Sequence, residues 1–467
     1  MRLLRSLFKC VVALAGLPLA AQGLPAPVEA ALTGARIPRE ALAVVVTELG
    51  AGRRPRLSHR ASVPVNPASV AKLATSLAAL ELLGPAFIWT TPVYVEGEVR
   101  DGTLHGNLYI KGQGDPKLVA ERIWLLLRRV QGLGIHSIRG DIVLDRGSFV
   151  VPTTQPGAFD GEPLRPYNAA PDALLLNFKS LSLTFTPLAG QVQVHMEPTL
   201  AGVQWPAAVA QAAGECRDWR ADLKADFSDP LRVRFAGAYA AACGERSWPV
   251  AYADPGGFAA RALAGTWQQM GGSLSGQVRE GSVPARLAPA FEMQSAPLTE
   301  IVRDINKYSN NVMAQQLFLT LSLQRKGVGS LEGSRELMRQ WWSDRFGSGE
   351  MPTFDNGSGL SRHERITAQQ LAGLLQAAWA SPLMPELMSS LPVTGVDGTL
   401  RRLRGKAVGI AHLKTGSLRD VSAVAGYVLG NSGRRYVLVA IANHPQAAAA
   451  RPAIEALIEW VARDNQP

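Results

Sequence analysis

NPASVAKLATSLAALELLGP (Asn66 to Pro85) is the stretch on which the reading of this chain turns. Asn66-Pro67 opens a helix, Val70, Leu73, Leu77 and Leu80 recur at helical spacing, and Gly84-Pro85 stops it. Ser69 falls in the first turn with Lys72 three residues on, a spacing that puts both on one face with Cβ atoms about 5 to 6 Å apart. A serine hydroxyl is a weak nucleophile near neutral pH, and an amine can take its proton only if that amine is itself neutral. Desolvation and a nearby second cation, for which Lys414 is the candidate, would lower the Lys72 pKa. The helix start also points backbone N–H groups at Ser69, so its own amide can form half of an oxyanion hole. The pair alone proves little, because Ser6 and Lys9 have the same spacing.

Two further elements give the pair its weight. Ile301, Ile305, Val312, Leu317 and Leu321 predict two helices on either side of a kink at KYSNN, which contains Ser309 and Asn311. His412 to Leu418, Val424 to Leu429 and Tyr436 to Ala442 read as neighbouring antiparallel strands, the first carrying KTGS (Lys414 to Ser417). Ser309 can relay a proton to a leaving nitrogen, and the Asn311 amide can donate and accept. Lys414 suits a carboxylate from an exposed strand edge, Thr415 adds a hydroxyl, Gly416 leaves room for a ligand to pair with the strand, and the Ser417 amide can complete the oxyanion hole. Taken singly, Ser69 reads as a helix cap, SNN as a loop and Lys414 as a surface charge. In this order, on these elements, SxxK, Ser-x-Asn and Lys-Thr-Gly are the mark of penicillin-binding proteins and class A β-lactamases.

At these residues the sequence resembles the class C low-molecular-mass penicillin-binding proteins, the D-alanyl-D-alanine carboxypeptidase/endopeptidase family. DNGSGLSRHERIT (Asp355 to Thr367), LPVTGVDGTLRRLRG (Leu391 to Gly405) and HLKTGSL (His412 to Leu418) are similar to its C-terminal half, and GQGDP (Gly112 to Pro116) and GDIVLD (Gly140 to Asp145) to its inserted region. The stretch between Lys72 and Ser309 is far longer than in ordinary β-lactamases and is similar to this family. Asn310 stands where many relatives carry Asp.

The resemblance implies an α/β (α+β) fold: a serine β-lactamase/transpeptidase-like domain, with a central five-stranded antiparallel sheet flanked by helices, built from residues 24–91 and 291–467. A β-rich inserted region, 92–290, interrupts it as two subdomains. Ser69, Lys72, Ser309 and Asn311 are then the expected catalytic residues, and Lys414, Thr415, Gly416 and Ser417 the expected substrate-binding residues. The backbone N–H groups of Ser69 and Ser417 are the expected oxyanion hole. The implied reaction forms an acyl-enzyme on Ser69 with a peptidoglycan stem peptide ending in D-Ala-D-Ala, releases D-alanine and hydrolyses the ester. Cleavage of D-alanyl cross-links at the same site and slow-to-leave acylation by β-lactams follow from it. The competing readings are a β-lactamase-type hydrolase, which needs a carboxylate placed to activate water, and a non-catalytic cell-wall-binding protein of the same fold. Glu364 and Glu386 are present, but sequence does not place either in the site.

The rest of the chain bounds the partners. At 467 residues, 47% hydrophobic and 18% charged, it is long enough for two or three folded domains. Arg2, Arg5 and Lys9 precede an apolar run from Cys10 to Ala21, with small residues at Ala21 and Gly23. This reads as a signal peptide over 1–23, too short to span a bilayer, so no transmembrane helix is expected in the mature chain. Export, most simply to a periplasm, follows. The net charge of +10 stays positive without the leader and suits an anionic cell-wall polymer, while basic runs interleaved with aromatics, which would point to nucleic acid, are missing. Cys216 and Cys243 remain as a candidate disulfide, two buried thiols being the alternative. The seven histidines are scattered without metal-ligand spacing, no GxSxG elbow occurs, and neither metal nor cofactor is called for. Oligomeric state is not legible.

Overall fold

A computed structural model describes residues 23–50, 55–188 and 190–464. The leader, but for Gly23, and the tip of the first expected hairpin, 51–54, lie outside the described residues. Leu42–Glu48 (β1) and Leu57–His59 (β2) pair antiparallel as that hairpin requires, and β1 also pairs with a strand from the far end of the chain. The five-stranded antiparallel sheet runs Ala411–Leu418 (β3), Val421–Leu429 (β4), Arg435–Asn443 (β5), β1, β2, which leaves β3 as an edge.

Alternation along these strands sends successive side chains to opposite cores. Ala43, Val45, Val439 and Ile441 pack with helices Lys72–Leu83 (α2), Leu298–Tyr308 (α3), Asn311–Lys326 (α4) and Ala368–Trp379 (α5). Val44, Val46, Leu438 and Ala440 pack instead with Ala26–Gly34 (α1), which precedes the sheet, and with the last helix, Arg451–Ala462 (α6). On α6 the expected stripe of Ile454, Leu457, Ile458 and Val461 is buried. The α2 stripe of Leu73, Leu77 and Leu80 is wholly buried, worth about 1.5–3 kcal/mol per side chain, which fixes the helix that presents Lys72.

Residues between α2 and α3 form two larger sheets. One is seven-stranded and mixed, centred on Thr90–Arg100 and Thr103–Lys111; the other is five-stranded, centred on the hairpin Ser180–Leu188 and Gln191–Glu197. Two helices, Ala120–Gly132 and Phe258–Gln269, depart from the β reading of this region and pack into one apolar core shared by both sheets. A disulfide joins Cys216 to Cys243. Among the described residues no helix is long and apolar enough to cross a membrane.

Candidate active site

Ser69 sits one turn ahead of α2, in a 3₁₀ turn over Ala68–Ala71, so Lys72 is the first α-helical residue. The turn is forced. Ala68 has φ of 47°, a left-handed conformation that is strained for a residue with a Cβ and persists only where surroundings over-determine it. Asn66 supplies the constraint: its Oδ1 accepts from the Ala68 N–H, its Nδ2 donates to the Ser361 carbonyl, and its backbone exchanges two hydrogen bonds with the Asn443 side chain at the end of β5.

The Lys72 ammonium nitrogen is fully buried and donates to Ser69 Oγ at 2.9 Å, to Asn311 Oδ1 at 2.6 Å and to the Ser358 carbonyl. Burial lowers its pKa from 10.5 to about 7, against the opposing pull of the Glu364 carboxylate. Of the two expected causes, desolvation is the one that lowers the Lys72 pKa, and the repulsion between the two buried amines shows on Lys414. Lys414 is itself pushed well down, by its own burial and then by Lys72.

Ser309 closes α3 in a left-handed conformation (φ 57°, ψ 37°), and Asn310 caps α4 by accepting from the Met313 N–H. The break between the two helices therefore faces Ser309 and Asn311 into the site while the middle residue holds the cap. Asp and Asn cap equally well, which explains why Asn310 costs nothing. Lys414 Nζ donates to Ser309 Oγ at 2.8 Å and to the Thr415 carbonyl at 2.7 Å, with none of its surface exposed. One expectation is corrected here: β3 is an edge strand, but the Lys414 cation is not on the cleft surface. A Cβ on Gly416 would lie 2.8 Å from the Pro67 carbonyl and 3.1 Å from the Ser69 nitrogen, so only glycine lets β3 press onto the serine turn.

Two clefts open on Ser69. One, of about 450 Å³, runs along β3 past Ser309, Thr399, Thr415, Ser417 and Arg402; the other, of about 760 Å³, is walled by Phe159, Asp160, Tyr167, Tyr308 and Arg362. Thr399 is held at 2.8 Å from the Thr415 hydroxyl, its loop being anchored where Lys307 meets Asp397 at 2.5 Å. Sequence reasoning brought Ser69, Lys72, Ser309, Asn311 and Lys414 to Ser417 together and missed the rest. Ser358, Arg362 and Glu364 lay inside the quoted DNGSGLSRHERIT without a role, and Thr399 inside LPVTGVDGTLRRLRG. Phe159, Asp160 and Tyr167 carried no signal, since only tertiary folding brings them beside Ser69. Glu386, on the helix Met384–Ser390, lines neither cleft.

The D-Ala-D-Ala carboxypeptidase 3 (S13) family matches residues 24–464. The chain belongs to that family. It is a serine-type hydrolase of the D-Ala-D-Ala carboxypeptidase class, as the sequence resemblance implied. It is 31% identical over 399 residues to a D-alanyl-D-alanine carboxypeptidase of an Actinomadura species, covering 79% of this chain and 71% of that one. With the D-alanyl-D-alanine carboxypeptidase DacB of Haemophilus influenzae it shares 26% identity over 390 residues, 80% of each chain. In three dimensions it is similar to penicillin-binding protein 4 of Haemophilus influenzae, with a TM-score of 0.74 at 21% identity, covering 92% of this chain and 98% of that one. A predatory peptidoglycan endopeptidase of Bdellovibrio bacteriovorus shares the fold at a TM-score of 0.53 and 16% identity, over 91% and 93% of the two chains.

Proposed function

We propose that this D-Ala-D-Ala carboxypeptidase attacks the penultimate D-alanyl carbonyl of peptidoglycan stem peptides with Ser69, using Lys72 as its base. The observation that carries this is the 2.9 Å contact between a wholly buried Lys72 amine and the Ser69 hydroxyl at the mouth of two clefts. Burial leaves a large share of the amine neutral near pH 7, so Lys72 can take the Ser69 proton as Oγ bonds to the carbonyl carbon. The amides of Ser69 and Ser417 receive the oxyanion. Collapse breaks the C–N bond, and the proton reaches the leaving nitrogen through Ser309, whose hydroxyl Lys414 orients from behind. Asn311 spends its Oδ1 on Lys72, leaving its NH₂ for the substrate backbone. The substrate pairs along the β3 edge beyond Leu413, where the 392–394 segment no longer covers it, its terminal carboxylate meeting Thr415, Thr399 and Arg402 in the β3 cleft.

The same acylation applies to β-lactams, and the matched fold of Haemophilus influenzae penicillin-binding protein 4 has been solved with one bound. A β-lactamase-type turnover needs a carboxylate free to activate water at the ester, whereas Glu364, the carboxylate coupled to Lys72, lines neither cleft, and Asp160 in the wall of the larger one is taken up by hydrogen bonds from Tyr167, Asn168 and the Glu162 N–H. The penicilloyl adduct is therefore expected to persist. Cleavage of D-alanyl cross-links is proposed on the same chemistry, and export on the basic leader with its short apolar run. Residues 92–290 serve in this reading as an insertion whose loop carrying Phe159 and Asp160 walls the larger cleft. Ser69→Ala should abolish both D-alanine release from sacculi and labelling by fluorescent penicillin; D-alanine release surviving in that variant refutes the mechanism.

A further inference from the structure

Beneath Lys72 lies a buried carboxylate for which the acylation scheme has no use. Glu364 is 2% exposed, and its Oε1 accepts from the backbone N–H groups of Asp355 and Asn356, each at 3.3 Å. Those two residues begin the loop that reaches Lys72. Gly357 offers its carbonyl to the Thr75 hydroxyl at 2.8 Å, and Ser358 offers its carbonyl to Lys72 Nζ. A Cβ on Gly359 would lie 2.0 Å from the Ala68 carbonyl, which shows how closely the loop abuts the serine turn. The other carboxylate oxygen, Oε2, is buried with no hydrogen-bond partner among the described residues. Glu364 borders a small space between Pro67, Ala71, Ala74 and Phe354, on the side of the serine turn away from both clefts. It lines neither of the clefts that open on Ser69.

We propose that Glu364 is a positioning residue for Lys72: it anchors the loop whose Ser358 carbonyl aims the amine at Ser69, and it supplies the countercharge when that amine becomes an ammonium during acylation. This rests on Lys72 being the base. The bookkeeping of the step is unchanged, since the Ser69 proton moves to Lys72 Nζ as the Oγ–C bond forms, and Glu364 only alters the stability of the charge created. The charged groups bearing on the pair are few. Asp355 lies beside Glu364 with its own carboxylate held by Arg335 and by the Ser361 hydroxyl, Lys414 faces Lys72 from β3, and Arg365 turns its guanidinium to the Arg362 and Glu364 carbonyls. Burial and the Asp355 charge raise the Glu364 pKa to about 7, level with Lys72, so carboxyl and amine compete for protons in the same range. An ionised Glu364 raises the pKa of Lys72, and on the alkaline side, where both groups have lost their protons, it stands ready to balance the ammonium that acylation creates.

Glu364→Gln keeps the acceptor oxygen for Asp355 and Asn356 and removes the charge. Stopped-flow acylation by a chromogenic cephalosporin, measured from pH 5 to 9, is expected to show the activating limb displaced to lower pH by about one unit. The plateau should fall about ten-fold, because the ammonium then forms without a partner. An unmoved limb with a full plateau overturns the proposal. If the Gln variant does not fold, Glu364→Asp decides: a limb kept in place with a lowered plateau supports the proposal, and a wild-type profile overturns it. Should wild-type protein fail to be acylated at Ser69 at all, the base assignment falls instead, which separates the two failures.

Discussion

Lys72 owes its chemistry to where α2 begins. A lysine in water is charged at every physiological pH, and only the loss of hydration brings its pKa from 10.5 to about 7. Because the neutral form is the active one, acylation should rise with pH through about 7 and then level off. Lys414 makes the complementary test. It is wholly buried on Ser309, and burial is the chief cause of the low Lys72 pKa, so Lys414→Ala should lower the acylation plateau at least ten-fold through a loosened Ser309 while leaving the activating limb close to where it was. A limb displaced upward in that variant would restore Lys414 as the residue that keeps Lys72 neutral. Both lysines were legible in the sequence as a pair of functional cations. The loss of water at Lys72 followed from the chemistry it must do, whereas the burial of Lys414 was not legible, because spacing along a chain does not say which side chains lose their water.

Among the elements, those marked by local start, stop and turn signals were read correctly, and pairings made by distant partners were not. The α2 stripe, the broken pair α3–α4 and the three C-terminal strands all announce themselves locally, and the kink at Ser309 falls where KYSNN put it. The helix Ala120–Gly132 carries a clear apolar stripe of Ile123, Leu126, Leu127 and Val130, and it went unread because the β character of its neighbours was extended across it. Phe258–Gln269, which buries Phe258, Ala262, Leu263 and Trp267 on one face, was passed over for the same reason. The short parallel pairings around Thr103–Lys111, with Ser137–Ile138 and Ile142–Asp145, join segments that no local turn connects. At the site, the contact between β3 and the serine turn is the element-scale feature most open to test. Gly416→Val would thrust side-chain atoms at Pro67 and Ser69 and push the strand away, so acylation should drop about 100-fold, read by penicillin labelling, while far-ultraviolet circular dichroism stays that of the wild type.

Across the whole molecule, stability and catalysis are carried in part by different cores. Cys216 and Cys243 tie together a segment of the second inserted sheet, remote from Ser69, and cross-link residues 27 apart. Replacing both with serine should cost about 2–4 kcal/mol of unfolding free energy in the region they staple, seen in urea titrations, with the rate of penicillin labelling in buffer unchanged. Loss of labelling at the same denaturant concentration as the first structural transition would mean the two cores unfold as one.

The pairing of β1 with β5 also sets a schedule for making the enzyme. Every residue assigned to the chemistry, from Ser69 to Ser417, has been synthesised before Arg435, yet β1 has no neighbour on that side until Arg435–Asn443 arrives. The nascent chain thus carries a full set of catalytic groups while its central sheet stays open, and closure waits on contacts between residues nearly four hundred positions apart. A polypeptide stopped at residue 430 should stay blind to fluorescent penicillin, and labelling should return when a separate peptide spanning 431–464 is supplied during refolding. On that expectation, activity arrives only with the last strand, which ties the onset of catalysis to the end of synthesis.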